Sequence, residues 1–464
     1  MYERDTIAAI ATPPGQGGVA IIRVSGPDAE TTVRHVFVPV QPHECLLSHH
    51  LYLGRIIDPL TGQSLDQGLL TLMRAPRSYT GEDVAEIHCH GGGWLSRRIL
   101  AAVLSQGARL ASPGEFTKRA FLNGRLDLSQ AEAILDLIQA QSEPGLHLAW
   151  EQLSGRLSET CTTIRERLLG LTAYVEAFID FPEEDIPKRA QVELEQDTAA
   201  LTEEIAALGA TFTQGKVYRE GMRTAIIGKP NVGKSSLLNL LAGTDRAIVT
   251  PVPGTTRDVL EETVVVSGVP LVVWDTAGLR STTTDEVERI GVERARAEVR
   301  EAELVLAVFD ASRPLDAEDE LVCAEVAGKK VIPVLNKVDL PFAVNLVNLA
   351  TRLHSGPLVH LSAKCGIGLE DLEKRIQETA LGTGLTYAQE QIEGVIVSRA
   401  RHRDALAKAE QSLRQVSAGL QAGLPLDLVV IDLRAALDHI GEIAGHVSTE
   451  DILDRVFREF CIGK

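Results

Sequence analysis

The sequence predicts a multidomain α/β protein in which a P-loop domain is inserted into a helical domain and follows an N-terminal α/β domain. A glycine-rich loop at 228–235 lies between an apolar run and a helical pattern, which is the strand–loop–helix order of a phosphate-binding loop. Apolar residues at three-to-four spacing flank that block on both sides and indicate helices. The length of 464 residues fits roughly two or three domains.

The N-terminal domain is predicted over residues 1–124. Short apolar runs such as Val19–Val24 and Leu69–Leu72 alternate with the turns Pro13-Pro14-Gly15 and Gly91-Gly92-Gly93. Strands bounded by glycine and proline are typical of an α/β domain rich in sheet.

The helical domain is predicted from two separate segments, residues 125–217 and 385–464, with the P-loop domain at 218–384 between them. In the first segment we expect Pro144-Gly145 to interrupt a long helical pattern and Phe181-Pro182 to end it. The expected helical stretches are 126–178, 191–208, 389–418 and 425–460.

The P-loop supplies the phosphate-binding groups. Lys234 places a positive charge on the phosphates and is counted among the catalytic residues, and Ser235 is a magnesium ligand. Thr256 follows at the distance of a switch threonine that completes the magnesium site, and Asp275-Thr276-Ala277-Gly278 matches Asp-x-x-Gly, whose Asp275 holds the magnesium shell.

The guanine base is predicted to be recognised at two later strand ends. Asn336-Lys337-Val338-Asp339 follows a buried apolar run, and the Asp339 carboxylate can accept hydrogen bonds from the guanine N1–H and exocyclic amine. Ser362-Ala363-Lys364 follows another apolar run and is expected to support the guanine O6. Five motifs in this order predict a Ras-like GTP-binding domain. The residues expected to contact GTP are Asn231, Val232, Gly233, Lys234, Ser235, Ser236, Thr250, Pro251, Val252, Pro253, Gly254, Thr255, Thr256, Asp275, Thr276, Ala277, Gly278, Asn336, Lys337, Val338, Asp339, Ser362, Ala363 and Lys364.

The switch region lacks the glutamine that orients the attacking water in Ras-like GTPases, because Leu279 occupies that position. Asn231 offers an amide oxygen for a monovalent cation beside the phosphates, and the alternative is that it serves only as a turn residue after Pro230. Asp285, Glu286 and Glu288 are candidates for holding the water, and the pattern does not choose among them.

Composition sets further bounds. The net charge of −18 argues against a generally adhesive nucleic-acid binder, so contact with RNA requires a local basic surface or a partner protein. No apolar run reaches membrane-spanning length and no leader precedes the first strand, so we expect no membrane and a cytoplasmic location. Six scattered cysteines fit a reducing compartment, and His88-Cys89-His90 has no second cluster with metal-ligand spacing.

The chain closely resembles the bacterial tRNA-modification GTPase family MnmE (TrmE) from end to end. The segments that carry the resemblance are Ala11-Thr12-Pro13-Pro14-Gly15, Gly81-Glu82-Asp83-Val84, His90-Gly91-Gly92, Pro113-Gly114-Glu115-Phe116, Gln130-Ala131-Glu132-Ala133, Asp275 to Arg280, Asp285 to Gly291 and the terminal Cys461-Ile462-Gly463-Lys464.

The resemblance implies an enzyme that works with the flavoprotein MnmG and adds an aminomethyl-type group to C5 of the wobble uridine of certain tRNAs. A tetrahydrofolate bound by the N-terminal domain would supply the one-carbon unit, contacted by Arg23, Glu86, Arg125 and Lys464. Cys461 would lie near that folate with a chemical role. Family members are homodimers through the N-terminal domain.

The resemblance also resolves the switch region. It implies potassium ligation by Asn231, Thr250, Val252 and Thr255, and it implies that Glu288 positions the water. Hydrolysis would then depend on potassium-assisted dimerisation of the G domains.

Two other classes of protein remain open on the sequence. A stand-alone regulatory or ribosome-assembly GTPase would have a similar G domain but would need neither the folate-matching residues nor the Cys461–Lys464 tail. A non-catalytic scaffold that binds GTP predicts that substitution of Glu288 leaves function intact.

Overall fold

The computed structural model describes residues 5–41, 45–180, 188–244, 261–274, 299–353, 357–382, 394–447 and 450–464. The chain divides into two compact units, the first formed by Met1–Leu135, Leu153–Thr162 and Asp438–Lys464, and the second by Asp136–Gln152 and Thr163–Leu437. The predicted boundaries at 124/125, 217/218 and 384/385 stay predictions. No helix in the described ranges is long and apolar enough to cross a membrane.

The first unit contains a seven-stranded sheet. Its strands are β1 Ile7–Ile10, β2 Val19–Ser25, β3 Phe37–Pro39, β4 Leu51–Ile57, β5 Ser64–Met73, β6 Val84–His90 and β7 Arg109–Leu110. Their order is β3-β4-β5-β6-β2-β1-β7, and all neighbours are antiparallel except β1 and β7. The expected strands at Val19–Val24 and Leu69–Leu72 are therefore confirmed, the second as part of the longer β5.

Two of the unit's helices, the first two in the chain, cover one face of this sheet. The helices of the unit are α1 Ala29–Val36, α2 Gly93–Leu104, α3 Glu115–Leu122, most of α4 Leu128–Gln139, and α15 Glu450–Arg458 near the carboxyl terminus. Side chains alternate along the strands, so that Ile22, Ile56 and Ile87 join Val33 of α1 and Ile99 of α2 in a fully buried core.

A buried guanidinium ties the start of the chain to α3. Arg119 is fully buried and donates to the Asp5 carboxylate at 2.6 Å, to Glu115 at 3.0 Å and to Glu82 at 3.1 Å. Arg109 binds Asp5 at 2.7 Å and Glu115 at 2.7 Å from the exposed side. Because a buried charge is tolerated only when it is paired, this network constrains how β1 and α3 lie together.

The second unit contains a six-stranded sheet of order β13-β12-β11-β8-β10-β9. Its strands are β8 Met222–Ile227, β9 Glu261–Val266, β10 Val269–Trp274, β11 Leu304–Asp310, β12 Val331–Asn336 and β13 Val359–His360. Only β9 pairs antiparallel, so the carboxyl ends of the other strands meet at one edge. Among the described residues, the helices of this α/β part are α9 Lys234–Thr244, α10 Ala317–Glu325, α11 Leu346–Leu353 and α12 Leu369–Leu381.

The remaining helices place the expected break at Pro144-Gly145 a few residues earlier. These helices are α5 Glu143–Leu153, α6 Arg156–Asp180, α7 Lys188–Ala210, α8 Phe212–Glu220, α13 Ala400–Gln421 and α14 Leu426–Ala444. The helical pattern is interrupted as expected, but just before Pro144: this residue lies in the first turn of α5, where a missing N–H costs nothing. The breaks fall at 140–142 and 154–155 instead, and Phe181-Pro182 lies outside the described residues.

The helix predicted from 389 begins only at Ala400. Residues 394–399 are not helical: the Val397 N–H donates to the Thr211 hydroxyl at 2.9 Å, and the Val397 carbonyl lies against Gly215 of α8. Tertiary hydrogen bonding thus overrides local helical periodicity. The helical stretch expected over 425–460 consists of two helices, and the first ends before Gly445, whose φ of 85° is left-handed.

Replacing Arg119 tests the buried network. Arg119→Met leaves Asp5, Glu82 and Glu115 without their central partner, so we expect a loss of roughly 3–5 kcal/mol in the free energy of unfolding. The control Arg34→Met removes only an exposed pair with Glu30 at 2.8 Å and is expected to cost less than about 1 kcal/mol. Urea unfolding followed by circular dichroism checks both, and equal losses would contradict the assignment.

The same network predicts acid sensitivity. Hydrogen bonds from Arg109, and then from Arg119, lower the pKa of Asp5 from its ordinary value of 3.8. Burial alone would raise the pKa of Glu115, but hydrogen bonds, first that from Arg109, outweigh the effect of burial and lower this pKa from 4.5. A lowered folded-state pKa contributes stability above the ordinary pKa and loses it as the pH falls through the folded value. We therefore expect this contribution to be complete at pH 6 and to be lost progressively as the pH falls below the ordinary values of 4.5 for Glu115 and 3.8 for Asp5. Thermal melts from pH 6 to pH 3 measure it, with a smaller slope expected for Arg119→Met.

Candidate nucleotide site and N-terminal polar cluster

The loop between β8 and α9 has the backbone of a phosphate-binding loop. Gly228 and Gly233 have φ values of 153° and 104°, and Asn231 is left-handed at 63°. A Cβ on Gly233 would overlap the Asn336 side-chain nitrogen, and one on Gly228 would overlap the Val308 carbonyl. Glycine is therefore required where the loop passes the ends of β11 and β12, and α9 begins at Lys234 with its N-terminus toward this loop.

Lys234 closes the loop onto itself. Its ammonium donates to the carbonyls of Gly228 at 2.7 Å and Lys229 at 3.0 Å. Burial lowers the pKa of Lys234. A partly buried cation on neutral acceptors is poised to take an anionic ligand.

Asn336 joins the three segments predicted to surround the nucleotide. Its amide nitrogen donates to the Val232 carbonyl at 2.8 Å, and its amide oxygen accepts from the Ala363 N–H at 2.9 Å. Asp339 accepts a hydrogen bond from the Ser362 hydroxyl at 2.7 Å. The structure thus brings together the P-loop, the Asn-Lys-x-Asp segment and the Ser-Ala-Lys segment.

Sequence reasoning missed two charged contacts in this region. Lys337, itself left-handed at φ 66°, donates to the Asn231 carbonyl at 2.8 Å and to Asp310 at 2.6 Å. Burial alone would raise the pKa of Asp310, but the hydrogen bond from Lys337 leads the effects that lower it. Asp310 is the last residue of β11, so a carboxylate ending an apolar run beside the predicted site was the available signal.

The second missed contact anchors the P-loop to α10. Lys229 donates to Asp316 at 2.6 Å and to the buried Asp319 at 2.7 Å. Asp316 is also the N-cap of α10, with a reciprocal capping box formed by Asp319. Two lysine–carboxylate contacts therefore position the P-loop: that of Lys229 with Asp316 and Asp319, and that of Lys337, which also binds the Asn231 carbonyl, with Asp310.

Several predicted site residues fall outside the described part of the chain. Ser235, Ser236 and Lys364 are described, the first two in the first turn of α9. Those that lie outside it are Thr250, Pro251, Val252, Pro253, Gly254, Thr255, Thr256, Asp275, Thr276, Ala277, Gly278, Leu279, Asp285, Glu286 and Glu288.

A second polar cluster lies on β2 and β6 of the first unit. Arg23 and Glu86 are direct partners in the ladder and form an ion pair at 2.8 Å. The Arg23 guanidinium also lies 5.1 Å from the Tyr79 ring centroid and 5.8 Å from that of Phe116. Burial raises the pKa of Glu86, but a hydrogen bond from His88 at 3.4 Å and the charge of Arg23 outweigh it, so the net shift is downward.

The carboxyl terminus completes this cluster. The Gly463 carbonyl accepts from Arg23 at 3.4 Å, and burial, followed by repulsion from Arg23, lowers the pKa of Lys464. Cys461 is exposed. Arg125 is also exposed and lies beside Gly81, two residues from Tyr79. Sequence reasoning identified Arg23, Glu86 and Lys464 but missed Tyr79, Phe116 and His88.

A P-loop whose glycine contacts an Asn-Lys-x-Asp asparagine, at the carboxyl edge of a mainly parallel sheet, defines a GTPase. The chain matches the family described as MnmE helical domain over residues 128–461 and that described as GTP-binding protein TrmE N-terminus over residues 6–125.

Curated relatives agree over the whole length. The tRNA modification GTPase MnmE of Geobacter sulfurreducens is 48% identical over 100% of both chains, and that of Lactiplantibacillus plantarum is 47% identical over 100% of this chain and 99% of its own. A solved structure of Era with MgGDPNP and a segment of 16S ribosomal RNA is 28% identical over 41% of this chain and 65% of that one, with a TM-score of 0.27. The chain belongs to the MnmE family of tRNA modification GTPases, as its motifs predicted.

Gly233→Ala tests the contact between P-loop and base-recognition segment. The new methyl group would overlap the Asn336 amide on a backbone that alanine disfavours, so we expect GTP affinity to fall at least about tenfold. Gly243→Ala is the matched control, because a Cβ there meets nothing within 4 Å and favours the helix. Titration with a fluorescent GTP analogue compares them, and unchanged affinity in Gly233→Ala would refute the contact's importance.

Proposed function

We propose that this GTPase works with the flavoprotein MnmG to add an aminomethyl or carboxymethylaminomethyl group to C5 of the wobble uridine of certain tRNAs, in the cytoplasm. The observation that carries the proposal is the coexistence, in one chain, of a GTPase site and the Arg23–Glu86–Lys464 cluster, in a sequence alignable end to end with tRNA modification GTPases. A GTP switch alone has no need for the second cluster.

In the nucleotide site, Lys234 would bind the phosphates, and Asp339 would accept the two guanine N–H donors. Asp339 already accepts one hydrogen bond from Ser362, which fixes the carboxylate before guanine arrives. Ser235 and Thr256 would hold Mg²⁺, with Asp275 in its outer shell. The ion, when bound, would offset charge on the phosphate oxygens.

Hydrolysis is proposed to be activated by potassium through dimerisation of G domains, with Glu288 orienting the attacking water. Asn231, Thr250, Val252 and Thr255 would hold the potassium ion. The fixed left-handed backbone of Asn231, whose carbonyl accepts from Lys337, supports this role because it limits where the amide side chain can reach.

The N-terminal cluster is proposed to bind a 5-formyl- or methylene-tetrahydrofolate. A folate presents a flat pterin with N–H donors and carbonyl oxygens, and a tail with carboxylates. Glu86 can accept from the pterin, while Arg23, Arg125 and Lys464 can pair with its oxygens or the tail, and Tyr79 provides a ring for stacking. Cys461 is assigned a chemical role at this site, consistent with its exposure.

A homodimer through the N-terminal domain is also proposed. The sheet face opposite α1 and α2 exposes Val38 on β3 and Leu51 and Leu53 on β4, which are 37%, 60% and 50% exposed. A row of apolar side chains exposed on this part of the sheet favours burial against a second copy.

Folate binding is tested by calorimetry with 5-formyltetrahydrofolate. We expect binding by the purified protein and a loss of at least about tenfold in affinity for Arg23→Ala and for Arg125→Ala, since each removes a cation that would pair with the ligand. Arg34→Ala, which removes a cation paired with Glu30 on α1, is the control. Absence of binding by well-folded protein would remove the folate assignment and leave the GTPase assignment intact.

The hydrolytic mechanism is tested with Glu288→Ala and Asn231→Ala. Glu288→Ala is expected to lower kcat by roughly 10²–10³ with GTP affinity retained, because it removes a group that acts in the transition state. Asn231→Ala is expected to give equal rates in KCl and NaCl. If Glu288→Ala hydrolyses GTP poorly but still supports full tRNA modification in cells, the scaffold alternative is correct.

A further inference from the structure

Charge is distributed unevenly along this chain. Residues 1–125 contain 12 Lys and Arg against 11 Asp and Glu, whereas residues 126–464 contain 34 against 53. The net charge of −18 therefore arises entirely outside the N-terminal part. An RNA, which carries one negative charge per nucleotide, meets the least repulsion on the first 125 residues.

The two most exposed large apolar side chains of the described residues lie at one end of the N-terminal sheet. Leu60, in the β4–β5 turn, is 82% exposed, and Trp94, in the first turn of α2, is 77% exposed. Arg98 of α2 donates to Asp58 at 3.0 Å, which brings that turn beside the helix. Exposed tryptophan is uncommon on a surface that has no partner.

Cations and a second ring accompany Trp94. Arg97 is exposed and forms no ion pair with any described residue. Its side chain extends back along α2 toward Gly93, where its Nη2 atom lies 3.8 Å from the place that a Cβ on Gly93 would occupy. The His90 side chain is 74% exposed, and hydrogen bonds to Asp66 at 2.8 and 2.9 Å fix its backbone and ring. Stackable rings interleaved with arginine are the chemistry that recognises unpaired bases.

We propose that the end patch, formed by Leu60, His90, Trp94, Arg97 and Arg98, is where this chain contacts tRNA. Trp94 stacks on an unpaired base, Arg97 binds an adjacent phosphate, and Arg98 with its Asp58 partner keeps Leu60 at the edge of the stack. The inference rests on the proposed function, since it locates the RNA that the function requires. It also explains how an acidic chain can meet RNA directly: the patch belongs to the part that carries almost no net charge.

The experiment measures the affinity of full-length protein for fluorescein-labelled unmodified tRNA by anisotropy, over a range of salt concentrations. We expect Trp94→Ala to weaken binding at least about fivefold without changing the salt dependence, because stacking is uncharged. Trp94→Phe keeps a ring and is expected to retain most of the affinity. Arg97→Gln is expected to weaken binding and to reduce the salt slope by about one unit.

Trp150→Ala is the matched control, because Trp150 is also exposed, at 57%, but lies on α5 outside the N-terminal part. GTP hydrolysis is expected to be unchanged in all four variants. If wild-type protein binds tRNA and Trp94→Ala binds it equally well, the patch assignment is wrong while the proposed function stands. If Trp94→Ala instead weakens only binding of the flavoprotein, the patch is a protein interface and the inference is overturned. If wild-type protein binds no tRNA even with the flavoprotein present, the proposed function itself fails.

Discussion

The nucleotide site depends on one neutral side chain, the amide of Asn336. Asn336 ends β12, between the ends of β11 and β13, and both its donor and its acceptor are used on other segments: the Val232 carbonyl of the P-loop and the Ala363 N–H. Only 3% of the residue is exposed, so its hydrogen bonds are shielded from competing water. An amide is required here because carboxylates lack the donor and lysine lacks the acceptor. The requirement for glycine at 233 follows, since any side chain there displaces this amide.

In the first unit, the carboxyl-terminal residues are held by contacts with the N-terminal domain. Ile462 pairs with Pro113, the Gly114 N–H donates to the Cys461 carbonyl at 3.4 Å, and Lys118 of α3 binds Asp454 of α15 at 2.9 Å. Gly463, left-handed at φ 102°, lies against the Ile10 carbonyl with no room for a Cβ. The last residues, which a sequence alone marks as a fraying tail, are thus a structural element. Lys464 reaches Arg23 and Glu86 only because the residues before it are fixed in this way.

The sequence predicted the strands and loops that depend on neighbouring residues, and it missed features that depend on contacts between distant residues. Periodicity and glycine punctuation located β2, β8 and β12 and the P-loop, because strand–loop–helix order is encoded in adjacent residues. Residues 394–399 were expected to be helical but are not, since the competing partner, Thr211, is distant in sequence. Pro144 located a break between two helices to within a few residues, because proline is tolerated in the first turn of a helix and here follows the start of α5 at Glu143. Asp310 was missed because its partner Lys337 lies nearby only after folding. His88 was missed although Glu86 lies two residues before it on the same strand, because nothing in the local pattern marks that pair as a contact.

The three lysines around the P-loop show which charge is available to a ligand. Lys229 is paired with Asp316 and Asp319. Burial alone would lower the pKa of Lys229, but hydrogen bonds to these two carboxylates raise it. Lys337 is paired with Asp310 at 2.6 Å. Lys234 differs: among the described residues its partners are two carbonyls, and burial lowers its pKa with no carboxylate to compensate. A phosphate placed beside Lys234 would supply the missing counter-charge, whereas at Lys229 or Lys337 it would have to displace a carboxylate. The carboxylates therefore neutralise Lys229 and Lys337, which position the loop. The charge of Lys234 remains available to bind the nucleotide.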